Sequence, residues 1–236
     1  SHVFITHGHI DHIAALAAHA GRRALQKNAP AKYYAPAHLV PHMQTIMESF
    51  SAMTEELIPA TIIPVMPFDE IHIGPKWVVK AFPTCHRVPS VGYILYNKRH
   101  RLRGDLVGKD GAEIAALRKA GESVTSEELS PEIAYTGDTT IEVFTHAEER
   151  GFGDLLRVRV LITEATYVDA TKTPSDATSR GHIHLHQLID HADLFEKIQS
   201  LVLIHTSARY AAGEIEELIV SQLPPALKIK TIVAGR

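Results

Sequence analysis

One stretch limits the choice of fold more than any other: "FITHGHIDH", residues 4–12. An apolar run leads directly into three histidines and an aspartate within six residues. Side chains of this kind at this density are not core material, so the strand they follow must end at a site. In an extended loop alternate residues point the same way, so His7 and His9 face one point. Asp11 and His12 come next, a carboxylate and a third imidazole. Imidazole and carboxylate are the donors that Zn²⁺ and Mn²⁺ sites use. Gly8 is expected to let the backbone fold closely around an ion. Two histidines beside an Asp–His pair can serve two metals as well as one. Helix capping is the plain alternative, but four donors at this spacing rarely arise that way.

A single loop cannot complete two metal shells, so partners are expected at other strand ends, where site residues gather. His86 follows "KWVVKAFPTC", Asp138 lies in "YTGDT" after "EIAY", and His205 ends "LVLIH".

The rest of the chain suits such a site. Its 236 residues are 45% hydrophobic, enough for one sizeable α/β domain over the whole of 1–236. The formal net charge of −3 excludes a polycation, so nucleic-acid contact needs a local basic patch. Cys85 is the single cysteine, which excludes an internal disulfide and fits a reducing compartment such as the cytoplasm, with nucleus or organelle left open. No apolar run approaches the roughly 20 residues of a membrane span. The first residues lack the pattern of a signal peptide. They also lack an initiating Met and open inside a strand-like run, which suggests more sequence upstream. The sixteen histidines are spread along the chain and do not form a tag.

Periodicity predicts strands at 2–6, 32–36, 61–66, 69–74, 76–82 and 91–97. Helices are expected at 12–27 and 38–53, the latter with Met43, Ile46, Met47 and Phe50 facing the core. Further on come a strand at 133–136, a helix near 140–149, a strand at 158–162 and a polar loop at 165–181. A helix at 186–199, a strand at 201–204, a helix at 211–223 and a last strand complete the reading. Strands that come first in runs and then alternate with helices suit a layered α/β architecture, sheets inside and helices outside.

Residues 98–124 differ in character. They are basic at both ends, punctuated by glycine and expected to be helical in the middle, like an arm leaving the domain.

"THGHIDH" resembles the H-x-H-x-D-H motif of the metallo-β-lactamase fold. "YTGDTT", "EAT", "GHIH" and "HTSARY" narrow the resemblance to the tRNase Z family, closest to its short plant-type form, over Phe4 to about Tyr210. The resemblance implies an αββα sandwich and a zinc-dependent endoribonuclease that removes the 3′ trailer of precursor tRNA. It implies two Zn²⁺ per subunit, with Mn²⁺ a possible substitute. His7, His9 and His86 would hold the first, and Asp11, His12 and His205 the second. Asp138 would bridge them. His182 would be the general acid, Glu164 would orient it, and Asp11 would also receive the proton of water. Arg209 would fork onto a phosphate. In the arm, Lys98, Arg99, Arg101, Arg103, Lys109, Arg118 and Lys119 would hold tRNA by its phosphates. A homodimer is implied in the same way. The family carries two opening strands before H-x-H-x-D-H that this sequence does not show, so the first half-sheet is expected to be incomplete.

A hydrolase of the same fold acting on a small phosphodiester is the alternative, since fold does not set function. A metal-bound RNA-binding protein without catalysis is a more distant one. His184 and His186 are read as structural or supporting. His19, His38, His42, His72, His100, His146 and His191 are read as surface or helix-face residues. Cys85 has no motif that would make it a nucleophile.

Overall fold

The computed structural model describes residues 1–211 and 213–234. In chain order, β1 (His2–Phe4) leads into α1 (Ile10–Ile13) and α2 (Leu16–Leu25). Next are β2 (Lys32–Pro36), α3 (Val40–Thr54), β3 (Thr61–Val65), β4 (Glu70–His72), β5 (Trp77–Pro83) and β6 (Val91–Leu102). Then α4 (Gly111–Lys119), β7 (Thr125–Tyr135), α5 (Glu142–Thr145), β8 (Val160–Glu164), α6 (Pro174–Ser179) and α7 (Leu185–Asp190) follow. The chain closes with β9 (Ser200–Ile204), α8 (Ile215–Gln222), α9 (Pro225–Lys228) and β10 (Thr231–Val233).

Two sheets result. One is parallel, in the order β1-β2-β3; the other is mixed, in the order β10-β9-β8-β7-β6-β5-β4. The period of two along each strand assigns its side chains to layers. On β2, Tyr33 and Ala35 pack with Leu16, Ala20, Met43 and Met47 of α2 and α3, while Tyr34 packs with Val79, Ala81 and Tyr93 of the other sheet. On β5, Val78 and Phe82 turn outward to Phe144, Leu188 and Phe195 under the second helical layer. The order of layers is therefore helix, sheet, sheet, helix.

The predicted helix at 12–27 is divided in two. Asp11 and His12 belong to the short α1, and α2 then buries Leu16, Ala17 and Ala20 against the first sheet. On α3, Met43 and Met47 are buried, but Ile46 is half-buried and Phe50 is 43% exposed, so the core stripe is narrower than expected. The predicted loop 165–181 contains α6. Its sequence signal was the capping box "TPSD": Thr173 accepts from the Asp176 amide, Asp176 accepts from the Thr173 amide, and Pro174 opens the first turn. The helix expected at 186–199 stops at Asp190. β6 and β7 run beyond their predicted ends and pair from Tyr93–Tyr135 out to Leu102–Thr125. The arm is therefore a long antiparallel ribbon, with α4 at its tip.

Candidate metal centre

Five strands end at one place. Beyond β1, the Ile5 amide still donates to the Tyr34 carbonyl, at 2.8 Å, and so the chain reaches His7 in an extended state. His9 follows in extended conformation at the head of α1, and His12 lies in the single turn of α1. β5 delivers His86, β7 Asp138, β8 Glu164 and β9 His205.

The side chains converge. His9 Nδ1 lies 3.1 Å from His7 Nε2 and 3.3 Å from His86 Nε2. Asp138 Oδ2 lies 3.6 Å from His7 Nε2, 3.5 Å from His12 Nε2 and 3.4 Å from His205 Nε2. Asp11 Oδ2 lies 3.5 Å from both His12 Nε2 and His205 Nε2. Asp138 with His182 and His205 makes one overlapping grouping, and two sets use the seven donors once each: His7, His9, His86 and Asp138, and beside them Asp11, His12 and His205. Asp138 touches both. All seven metal ligands named from the sequence are brought together here.

These residues fit divalent ions. Metal–ligand distances of about 2.0–2.1 Å place the donor atoms of a tetrahedral site about 3.3–3.4 Å apart, close to the separations found. The nitrogens facing away from the cluster are engaged elsewhere. His86 Nδ1 donates to the Gly181 carbonyl at 2.7 Å, while His7 Nδ1 and His205 Nδ1 lie 3.0 Å from the hydroxyls of Thr6 and Thr166. Such outer partners orient a metal-binding imidazole. His12 Nε2 is buried without a hydrogen-bond partner in the protein. Burial, aided by the neighbouring charge of His12, pushes the His7 imidazole down to about 3, so it stays neutral with its lone pair free. Burial would raise the Asp138 carboxyl, but the His12 imidazole 3.5 Å away and the charges of His205 and His7 outweigh it and hold the group at about 2.

His205 is held at φ +57°, a left-handed conformation uncommon for a residue with a side chain. Gly8 acts differently from expectation. Its φ is not in the left-handed region, and a Cβ there would come within 2.7 Å of Leu39 Cδ2. The glycine makes room for a packed leucine.

A second group adjoins the cluster. Glu164 is fully buried; its Oε1 accepts from His182 Nδ1 at 2.9 Å and from the Thr139 amide at 2.8 Å. Its Oε2 accepts from the Ile183 amide at 3.1 Å and from the Thr166 hydroxyl. The carboxylate is thus fixed, and His182 with it. Burial pulls His182 down, but Glu164 and then Asp138 more than offset this, and its pKa is raised above the ordinary imidazole value. His182 Nδ1 is 4.0 Å from Asp138 Oδ2. Thr6, Thr139 and Thr166 were missed in the sequence, where threonines carry no spacing signal of their own.

The remaining named residues lie apart. The Arg209 guanidinium is 4.9 Å from the centre of the Tyr167 ring and 5.0 Å from that of Tyr210, with Asp169 Oδ1 3.9 Å away. Tyr167 in turn stands edge-on to His182. His184 caps α7, its Nδ1 accepting from the His186 amide, and His186 pairs with Gln222. The Cys85 thiol receives Arg150 Nη1 at 3.2 Å.

The arm is not a free polycation. Lys98 pairs with Glu127, Arg99 with Glu132, Arg101 with Glu128, Arg103 with Asp105 and Lys109 with Glu113. Residues 98–132 hold seven Lys and Arg against seven Asp and Glu. Among the described residues, only Arg118 and Lys119 of these cations make no ion pair; both lie in the last turn of α4. The Val91 amide bonds to Thr6 beside the centre, and Arg101 is ten residues farther along β6. At about 3.4 Å per residue, the cations of β6 stand roughly 24 Å (Lys98) to 34 Å (Arg101) along the strand from Val91.

Comparison with known proteins followed the same lines. Residues 1–206 match the family model described as "Beta-lactamase superfamily domain". The chain is 33% identical over 226 residues to tRNase Z TRZ1 of Arabidopsis thaliana, covering 96% of this chain and 79% of that protein. It is 34% identical over 218 residues to the chloroplastic tRNase Z TRZ2 of the same plant, covering 92% of this chain and 60% of that protein. Among solved structures, the short form of human tRNase Z (ELAC1) superposes with a TM-score of 0.60 at 20% identity, over 99% of this chain and 76% of that one. The metallo-beta-lactamase fold protein YhfI of Bacillus subtilis gives 0.57 at 16% identity, over 100% and 75%. Both likenesses show the fold. Among the described residues no helix is long and apolar enough to cross a membrane.

Proposed function

The chain belongs to the tRNase Z family of the beta-lactamase superfamily, and on that footing we propose that it is an endoribonuclease cutting the 3′ trailer from precursor tRNA. One observation carries the reading: two donor sets joined through Asp138, with the His182–Glu164 pair against them. The first set would hold one Zn²⁺ and the second another, with Asp138 shared. Divalent ions there supply Lewis acidity, easing deprotonation of water and neutralising charge on the phosphoryl oxygens.

The protein's own groups do the rest. Asp11, 62% exposed at its side chain, is placed to take the proton that water gives up. Protonated His182 keeps its Nδ1–H hydrogen-bonded to Glu164, and its Nε2–H is left to protonate the departing 3′-oxygen. Water adds to phosphorus, the P–O3′ bond breaks, and the products are a tRNA 3′-hydroxyl and a trailer with a 5′-phosphate. Arg209, held against two tyrosines, is a ready partner for a phosphate oxygen. The distance between arm and centre supports a homodimer in which one subunit's arm holds the tRNA that its partner cuts. A reducing compartment, the cytoplasm first, fits the lone thiol.

The test is cleavage of a precursor tRNA by the metal-loaded protein, with the product ends mapped. We expect one cut after the discriminator nucleotide, reduced by His182→Ala about 10²–10⁴-fold. Brisk hydrolysis of a small phosphodiester with no cut in the precursor would overturn the reading.

A further inference from the structure

A cleft of about 360 Å³ opens beside the metal ligands on the His86 side. Its walls are the loop Thr84–Cys85–His86–Arg87 and the turn Thr178–Ser179 before Gly181. The two walls touch at Gly181, where φ is +77° and a Cβ would come within 2.7 Å of His86 Nδ1 and 2.9 Å of the Arg87 amide. The sequence motifs and the mechanism above leave this cleft unassigned.

Its chemistry points to an anion. Arg87 is exposed on one wall, and Arg180 is exposed between Ser179 and Gly181 on the other. Neither makes an ion pair among the described residues. Arg150 enters from a third side to reach Cys85 Sγ, and a single carboxylate, Glu142, also lines the space. Arg87 thus lines the cleft and Arg180 and Arg150 flank it, against one lining acid, Glu142, in a protein whose net charge is −3. Thr140 lines the cleft too. It is only 6% exposed, and its hydroxyl has no hydrogen-bond partner in the protein. A buried hydroxyl left without a partner is costly, and a ligand oxygen would remove that cost. The volume falls at the small end of the roughly 300–1,000 Å³ range of ligand clefts, room for about one nucleotide. The cleft shares His86 with the metal centre, and His182 follows directly on its lining residue Gly181, so a strand that leaves the centre on this side would enter it.

We propose that this cleft is a subsite for single-stranded RNA next to the scissile bond. In it Arg87 and Arg180 hold the phosphate of the adjoining nucleotide, and the Thr140 hydroxyl donates to one of its oxygens. The inference rests on the nuclease reading above. The nucleotide comes either from the trailer or from the tRNA 3′ end, and both offer the same phosphodiester chemistry.

The test uses the full, metal-loaded chain and the double variant Arg87→Gln/Arg180→Gln, two exposed sites where folding is not at stake. Two fluorescent oligoribonucleotides are titrated by anisotropy: a 5′-phosphorylated trailer strand, and a strand ending in a 3′-hydroxyl that copies the acceptor end. We expect binding of one of them to weaken by about tenfold or more. Its log–log salt slope should fall by about 0.7 for each arginine lost, which a purely structural role would not change. The strand affected identifies the source. Unchanged affinity and slope for both strands would overturn the subsite. Cleavage of precursor tRNA is followed in parallel with bis(p-nitrophenyl) phosphate hydrolysis. Wild-type protein that fails to cut precursor, yet binds a strand through these arginines, would remove the tRNA reading and keep the subsite. Cutting with arginine-independent binding would do the reverse.

Discussion

Asp138 Oδ2 has three imidazole nitrogens within 3.6 Å, and no other acid in the cluster touches both donor sets. Asp138→Asn should therefore deplete metal from both sets, whereas Asp11→Asn should deplete only the second. Metal content by atomic emission distinguishes them, and a full complement in Asp138→Asn would contradict the shared role. Glu164 acts at one remove. It raises the pKa of His182 against the opposing effect of burial, so His182 keeps its proton to higher pH. Activity that needs this proton is present at low pH and lost as pH rises through the His182 pKa. Glu164→Gln removes the negative charge, and the alkaline limb of the pH–rate profile should move down by about one unit or more. A limb that stays in place would show that another group sets it.

Ion pairing changes how the arm must be understood. Charge runs in a sequence do not reveal their partners, and here the basic residues of β6 reach diagonally to acids of β7: Lys98, opposite Leu129, pairs with Glu127, and Arg101, opposite Ser126, pairs with Glu128. Exposed pairs of this kind are screened by solvent and contribute little to stability. Arg101→Ala and Arg103→Ala should then alter thermal stability little. Arg99→Ala should cost more, about 1–2 kcal/mol, because Glu132 is only 8% exposed and would keep Arg159 alone, at 3.4 Å. For tRNA affinity the order reverses: Arg118→Gln/Lys119→Gln should weaken binding and lower its salt slope more than the loss of any one paired arginine. Filter binding over a salt series decides it.

The seven donors were legible as chemically distinctive residues at or just beyond strand ends, whereas the His182–Glu164 pair came from the resemblance to the family alone. The strands themselves showed through their alternation, as in "KYYAP" and "KWVVKAF". What could not be read depended on contacts far along the chain. The division of α1 from α2 follows from metal donors and core donors facing different ways. The role of Gly8 follows from Leu39, and that of Thr166 from being between Glu164 and His205. α6 could have been found from its capping box. The cleft beside His86 joins two loops with no common motif, so only the assembled molecule shows it.

For the whole molecule, metal and fold are coupled. His7 is held neutral down to about 3 in the folded chain, against an ordinary value near 6.5 once unfolded. Between those values the unfolded state binds more protons, so stability falls as pH falls through that window. Metal uptake needs the same neutral imidazoles and weakens in the same direction. Thermal unfolding with and without chelator should show metal raising stability by about 4 kcal/mol at a thousandfold excess over Kd. That gain should shrink as pH drops from 7 to 5. A gain independent of pH would mean that the histidines are not the ligands.

The two donor sets also differ in when the growing chain can complete them. His7, His9, His86 and Asp138 have all been synthesised by residue 138, but Asp11 and His12 must wait for His205. During synthesis from the N-terminus, the first set has its full complement of side chains long before the second. If each set takes an ion, the order of translation would favour the first set, and His86 would gain its outer partner only once Gly181 has been made.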